Sequence, residues 1–180
     1  MGLEQLFTSA FLITWLAASV RLAGPVLLAA LGETFNELGG ILNIGIEGTI
    51  LFGALTSFLI SFLIGNVWLG ILGAIIVGII SNLFLAWMYI TVRANQVVVG
   101  IIFNLLALGL TSYTFRAVLG AQARPQKATM VGTLDIPILS DLPFFGPVIF
   151  SHSIFVYITI ALVFVSGFVL YRTKFGLKLR

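Results

Sequence analysis

The residues best suited to chemistry in this 180-residue chain are a few polar side chains set inside long apolar runs. Asn43 and Glu47 are four residues apart, a spacing that predicts a shared helical face. Gln96 and Asn104 are eight residues apart and predict a second shared face. Amide and carboxylate groups can bind uncharged polar solutes, and such groups at membrane depth mark pathways or sites. We therefore expect these four residues to line or shape a solute path.

A structural role is the alternative for the same side chains, because Asn and Gln also form hydrogen bonds between neighbouring helices. Asn82 fits such a packing role better than a solute-binding one. Glu33 and Glu37 are typical of solvated acids in a cytoplasmic hairpin. His152 stands alone near the start of an apolar run, and we assign it no functional role.

Glycines around Asn43 indicate an interrupted helix. Four of them lie within ten residues. Non-helical backbone at membrane depth is tolerated only where it is buried in protein or lines a cavity, and transporters use such breaks to present backbone groups and helix ends to solutes. We predict a helix break at Gly39, Gly40, Gly45 and Gly48.

The composition is that of a membrane protein. The chain is 60% hydrophobic and 8% charged, with a mean hydropathy of +1.18, whereas a soluble domain carries about 25% charged residues. A net charge of +3 without a basic, aromatic-rich patch gives no indication of nucleic-acid binding. The absence of cysteine excludes disulfides and thiolate metal sites.

The sequence lacks the motifs of ATP-binding, hydrolytic and metal-dependent enzymes. It contains no P-loop, no His-Glu-x-x-His and no Gly-x-Ser-x-Gly. We therefore predict neither an enzyme nor a metal site, and expect no cofactor to be bound by this chain itself.

Hydropathy predicts an all-α polytopic helix bundle forming one transmembrane domain over residues 1–180, with about six spans. The predicted spans are residues 5–20, 22–37, 43–64, 67–91, 96–119 and 148–171. A loop over residues 120–147 is predicted to be extracytoplasmic, because the Lys- and Arg-rich end of the chain should be cytoplasmic. An even number of crossings would place the N-terminal end in the cytoplasm as well.

Small residues recur every four positions along the third and fourth predicted spans. Such ladders allow close approach between helices in lipid. The predicted packing residues are Gly53, Ser57, Gly70, Ala74 and Gly78.

Three blocks of sequence carry a family resemblance. Residues 24–48 read GPVLLAALGETFNELGGILNIGIEG, residues 93–110 read RANQVVVGIIFNLLALGL, and residues 172–180 read RTKFGLKLR. In this order they resemble the permease subunits of bacterial ABC importers for nucleosides and simple sugars, within the branched-chain amino acid/ribose permease superfamily.

The resemblance implies a permease in the bacterial plasma membrane that moves an uncharged polar solute inward, a nucleoside first and a pentose or hexose next. It implies three kinds of partner: a second permease subunit, a cytoplasmic ATPase that binds ATP and Mg²⁺, and an extracytoplasmic solute-binding protein. Family members carry further spans, and the coupling helix that docks on the ATPase would follow residues 178–180. We therefore expect the chain to be a fragment.

Two other functions stay open at this point. An ion-coupled secondary transporter would need a coupling-ion site, which Glu47 could provide. A non-transporting membrane assembly subunit would use the same polar residues for structure alone.

Overall fold

The computed structural model describes residues 8–120, 131–135 and 146–179. Within these ranges the chain forms six α-helices and two short strands. They are α1 (Ser9–Leu38), α2 (Ile46–Ile64), α3 (Val67–Ala86), α4 (Gln96–Leu119), β1 (Thr133–Asp135), β2 (Ser151–Ser153), α5 (Ile154–Arg172) and α6 (Lys174–Leu179). A π-helical turn at Trp87–Thr91 continues α3, and a second lies at Gly146–Phe150.

Five of the described helices are long and apolar enough to cross a bilayer: α1, α2, α3 with its π-helical turn, α4 and α5. The shortest has 19 residues, which at about 1.5 Å per residue approaches the thickness of the hydrocarbon core. The predicted all-α polytopic membrane architecture is thus confirmed.

The prediction of two spans at residues 5–20 and 22–37 is wrong for the described residues, because α1 runs without interruption from Ser9 to Leu38. Pro25 lies inside this helix. A proline removes one helical hydrogen bond, but the bilayer penalises any larger break, so a helix in lipid tends to continue through it. At 30 residues α1 is about 45 Å long, enough for one crossing with length to spare.

The fourth and fifth predicted spans coincide with helical segments Val67–Thr91 and Gln96–Leu119. The third begins at Ile46 rather than at residue 43, because the three preceding residues are not helical. The sixth begins at Ile154 rather than at residue 148, because β2 precedes it. Most of the predicted loop over residues 120–147 lies outside the described residues.

The chain divides into two compact units, and the first combines Met1–Phe35 with Val131–Arg180. Here β1 and β2 pair antiparallel, with Leu134 opposite His152. The imidazole of His152 is buried, and its Nε2 lies 2.8 Å from the carbonyl oxygen of Val148. The Tyr157 hydroxyl accepts the His152 N–H and donates to the carbonyl of Ile149. These contacts give His152 a structural role at the start of α5.

The second unit, Asn36–Met130, contains α2 packed against both α3 and α4. Leu85 and Tyr89 from α3 and its π-helical turn form a small buried core with Phe103 of α4. The ring of Phe52 on α2 meets that of Phe103 edge to face at 5.7 Å. Asn66 and Asn95 cap α3 and α4, each accepting backbone N–H groups of the first helical turn.

Small residues set the distance between α2 and α3. A Cβ built on Gly70 would lie 2.7 Å from the carbonyl oxygen of Ser57 and would also collide with the Ser61 hydroxyl. Gly53 approaches Ala74 at ordinary contact distance. Gly78 differs, because a Cβ there would meet no other described atom within 4 Å. Four of the five predicted packing residues thus lie at the α2–α3 contact, and Gly78 does not.

Gly70→Ala should destabilise the protein, since the added methyl group forces α2 and α3 apart at a cost of about 1–3 kcal/mol. Gly78→Ala is the matched control, because it gains the same helix propensity without a steric conflict. We expect the temperature at which the detergent-solubilised protein loses monodispersity to fall by several degrees in the first variant only. Equal behaviour of the two variants would contradict close packing at Gly70.

Candidate functional site

The candidate site is built around residues 39–45, which join α1 to α2 and are hereafter the α1–α2 link. Gly40 adopts a left-handed conformation with φ of 80°, where glycine avoids the steric cost of a side chain. Its N–H donates to the carbonyl of Glu37, and the N–H of Ile41 donates to that of Asn36. This Schellman-type pattern ends α1 and turns the chain toward α2.

Two amide side chains of α4 bind the backbone on either side of the start of α2. The Oε1 atom of Gln96 accepts the N–H of Leu42 at 2.9 Å. Asn104 makes two bonds: its Nδ2 donates to the carbonyl of Ile44 at 2.9 Å, and its Oδ1 accepts the N–H of Gly48 at 2.8 Å. Backbone groups left over by the helix break are thereby paired inside the protein.

These contacts show how far the link runs along α4. Gln96 is the first residue of α4, and Asn104 follows eight residues later, which corresponds to about 12 Å along the helix axis. The link therefore passes from the end of a candidate membrane span to a point well inside it. Non-helical backbone at that depth requires the protein partners described here.

A hydrogen bond between two side-chain amides joins the link to α3. Asn43 is buried, and its Nδ2 donates to Oδ1 of Asn82 at 3.2 Å. The Nδ2 of Asn82 in turn donates to the carbonyl of Gly78 at 2.9 Å, which orients the Asn82 side chain.

Glycines allow the link to fit between α3 and α4. A Cβ on Gly45 would lie 2.7 Å from a methyl group of Leu85, and one on Gly100 would lie 2.7 Å from Cβ of Ile44. Gly48 lies within α2 and not in the break, and a Cβ there would come within 2.8 Å of the Phe103 ring. Gly48 is one of the four glycines predicted to allow the break, but its role in the structure is to permit close packing between α2 and α4.

Glu47 is the second residue of α2, and its side chain is exposed along a groove of about 430 Å³ between α2 and α4. The groove is lined by Ile44, Glu47, Leu51, Ile101, Asn104, Leu105 and Leu108. A carboxylate near a helix N-terminus interacts favourably with the helix dipole. Polar atoms are thus concentrated at the Glu47–Asn104 part of an otherwise apolar groove.

The predicted shared helical face of Asn43 and Glu47 is wrong. Asn43 precedes α2, so the helical four-residue periodicity does not apply to this pair. Asn43 instead lines a separate groove of about 340 Å³, together with Asn36, Asn82 and Tyr89. The two residues therefore contribute to different surfaces of the same unit.

The structure brings Gln96 and Asn104 together on the link, as their spacing on one helix suggests. Sequence reasoning underrated Asn82, which pairs with Asn43, and did not single out Gly100. The sequence feature that points to Asn82 is a polar amide at a position where the four-residue repeat otherwise has small residues. In the described ranges, no group of three or more His, Cys, Asp and Glu residues is arranged to hold a metal ion.

Comparison with known proteins identifies a transport family. The family described as "Branched-chain amino acid transport system / permease component" matches residues 15–180. The guanosine ABC transporter permease protein NupQ of Bacillus subtilis (strain 168) is 36% identical over 170 residues, covering 91% of this chain and 53% of that protein. No solved structure matches the chain.

Two further relatives are transporter permease proteins. The putative glucose ABC transporter permease protein TsgC13 of Haloferax volcanii is 34% identical over 91% of this chain and 50% of its own length. The nucleoside ABC transporter permease protein NupC of Lactococcus lactis subsp. cremoris is 29% identical, with coverages of 87% and 51%. The chain spans about half the length of these relatives. Because the family match covers nearly all of its residues, the chain belongs to the branched-chain amino acid transport system permease family.

Proposed function

We propose that this chain contributes to the transmembrane permease subunit of an ATP-driven importer for an uncharged solute that contains a sugar, with a nucleoside as the first candidate. The observation that carries the proposal is similarity over 91% of the chain to a permease protein named for guanosine. A relative named for nucleosides and another named for glucose support the same solute class.

The groove beside Glu47 is suited to this class of solute. Guanosine, other nucleosides and glucose all carry a sugar ring with several hydroxyl groups. A carboxylate accepts hydrogen bonds from such hydroxyls, and the apolar residues on both sides of Glu47 fit the less polar faces of a ring. In this proposal Glu47 contacts the solute, whereas Asn43, Gln96 and Asn104 shape the path by holding the link.

The partners follow from the ABC importer mechanism. A cytoplasmic ATPase binds ATP and Mg²⁺ and hydrolyses the nucleotide, so the permease itself is not an enzyme. A second permease subunit completes the path, and an extracytoplasmic solute-binding protein delivers the solute.

A secondary transporter is the competing function, and it rests on Glu47, a carboxylate within a candidate membrane span. The two mechanisms differ in their source of energy. ATP-driven uptake continues when the membrane ion gradients are collapsed and ATP is maintained, whereas ion-coupled uptake stops.

Uptake of labelled guanosine into cells that express the complete transporter tests the proposal. We expect uptake to survive ionophores at constant ATP, and an ATPase and a second permease to co-purify with the tagged protein in mild detergent. Glu47→Gln should reduce uptake per assembled complex by about tenfold, because it weakens a charge-assisted hydrogen bond worth about 1.5–3 kcal/mol.

Glu37→Gln is the control for this experiment, because Glu37 is exposed at the end of α1 and lines neither groove. It should transport at the wild-type rate. Uptake that ionophores abolish would favour the secondary transporter. Full uptake by Glu47→Gln together with a reduced yield of complex would favour an assembly role for Glu47.

We further propose that the C-terminal end of α5 faces the cytoplasm. Arg172, Lys174 and Lys178 lie at and beyond that end, and Arg93 lies between α3 and α4 on the same predicted side. The expectation that both ends are cytoplasmic depended on an even number of crossings. With one crossing by each of the five candidate spans among the described residues, we propose instead that Thr8, just before α1, is on the outer side.

Single cysteines in this cysteine-free chain test the orientation. An impermeant maleimide applied to intact spheroplasts should label Thr8→Cys and Gly132→Cys, and should label Lys174→Cys only after permeabilisation. Gly132 and Lys174 are exposed positions that serve as the outer and inner references. Labelling of Thr8→Cys only after permeabilisation would indicate an even number of crossings and would contradict the proposed orientation of α1.

A further inference from the structure

We infer that Asn104 is a positioning residue that acts on the solute through Glu47, rather than a solute ligand itself. The inference rests on the proposed function and assigns separate tasks to two residues that line the same groove. It also specifies which of the polar side chains around the α1–α2 link determines the position of the solute-binding carboxylate.

The amide of Asn104 is engaged by the protein backbone at both of its ends. Its oxygen accepts the N–H of Gly48 at 2.8 Å, and its nitrogen donates to the carbonyl of Ile44 at 2.9 Å. Both distances are those of well-formed hydrogen bonds. A solute that used the same atoms as its main partners would have to compete with backbone groups at membrane depth, which have strong requirements for pairing.

Asn104 thereby supplies the cap that α2 lacks in its own sequence. The N-cap residue of α2 is Gly45, which has no side chain to accept the first N–H groups of the helix. Those groups need partners from elsewhere. The Asn104 oxygen, reaching across from α4, performs for Gly48 the task that a local Ser, Thr, Asp or Asn side chain performs at other helices.

Glu47 lies between the two backbone groups that Asn104 binds. Ile44 precedes it by three residues and Gly48 follows it directly, so the bonds to Asn104 fix the backbone on both sides of Glu47. The direction in which a side chain leaves a helix is set by the backbone of that turn. Loss of these bonds should therefore free the first turn of α2 and the carboxylate that it carries.

Asn82 provides a matched control. It is also an amide on a neighbouring helix that binds the link, but it contacts Asn43 through one bond and lines the other groove. Replacing Asn82 removes a comparable polar contact without releasing the backbone around Glu47. An effect specific to Asn104 is thus separable from a general loosening of the unit.

The direct test measures the position of residue 47 without requiring transport. The complete protein carrying Glu47→Cys presents a single thiol, provided the remainder of the chain is also free of cysteine, and its reaction rate with a small charged methanethiosulfonate is measured in open membranes. Adding Asn104→Leu should change this rate by about fivefold or more, because two hydrogen bonds that hold the turn are lost. Adding Asn82→Leu should leave the rate within about twofold of Glu47→Cys alone.

If Asn104→Leu is not recovered as a monodisperse protein, Asn104→Asp replaces it in the test. The carboxylate retains an acceptor for Gly48 N–H but loses the donor to Ile44. We expect a smaller change in the labelling rate in the same direction. An unchanged rate in the recovered Asn104 variant, or an equal change in Asn82→Leu, would overturn the inference.

Uptake provides the second test through a double-mutant cycle. If Asn104 acts through Glu47, then Glu47→Ala combined with Asn104→Leu should be no slower per assembled complex than Glu47→Ala alone. Independent, multiplicative losses would show that Asn104 contacts the solute itself and would overturn the inference. If the wild-type transporter moves no sugar-containing solute, the proposed function fails, and the labelling experiment still decides whether Asn104 positions residue 47.

Discussion

A backbone N–H or C=O group inside a bilayer must find its hydrogen-bond partner within the protein, and the arrangement of this chain around the α1–α2 link depends on that constraint. The link is not helical, so its own backbone leaves groups unpaired. Gln96 and Asn104 of α4 bind Leu42, Ile44 and Gly48, and these bonds allow the link to run along a candidate membrane span. Without them the non-helical segment would be unstable at this depth.

Close packing satisfies the second requirement of the link, which is space. The backbone at Gly45 passes Leu85 on one side, and Ile44 lies against Gly100 on the other, at separations that a larger residue at either glycine would prevent. Gly70 of α3 allows an equally close approach to Ser57, which lies further along α2. Helix α2 is thereby held to α4 near its start by hydrogen bonds from amide side chains, and to α3 near its end by close contact between small residues. This arrangement fixes the place from which Glu47 enters its groove.

Much of this architecture is predictable from the sequence, because the bilayer imposes long apolar helices and penalises isolated polar groups. The segments at residues 67–91 and 96–119 were predicted with their observed limits. The division between residues 20 and 22 failed because α1 continues through this region, and through Pro25 as well. The grouping of Asn43 with Glu47 failed because helical periodicity was applied across a turn that only the tertiary contacts of the link explain.

The partners of the polar residues likewise depend on tertiary contacts that sequence periodicity does not reveal. Sequence spacing indicates that Gln96 and Asn104 share a face, but it does not show that their partners are backbone groups of a segment more than fifty residues earlier. The sequence predicts a packing role for Asn82, whereas in the structure its side chain accepts a hydrogen bond from Asn43 of the link. The solute-binding role of Glu47 remains a proposal that rests on the groove and on the relatives of the chain.

Cross-linking between the link and α3 tests the central claim, that the link lies between α3 and α4 at membrane depth. The full protein carrying only Asn43→Cys and Asn82→Cys is treated in native membranes with a short bifunctional thiol reagent. We expect efficient cross-linking of this pair and none for Asn43→Cys with Asn66→Cys, since Asn66 caps the start of α3, about 24 Å from Asn82 along the helix axis. Failure of the first pair to react, with both thiols shown to be accessible to a monofunctional reagent, would contradict this position of the link.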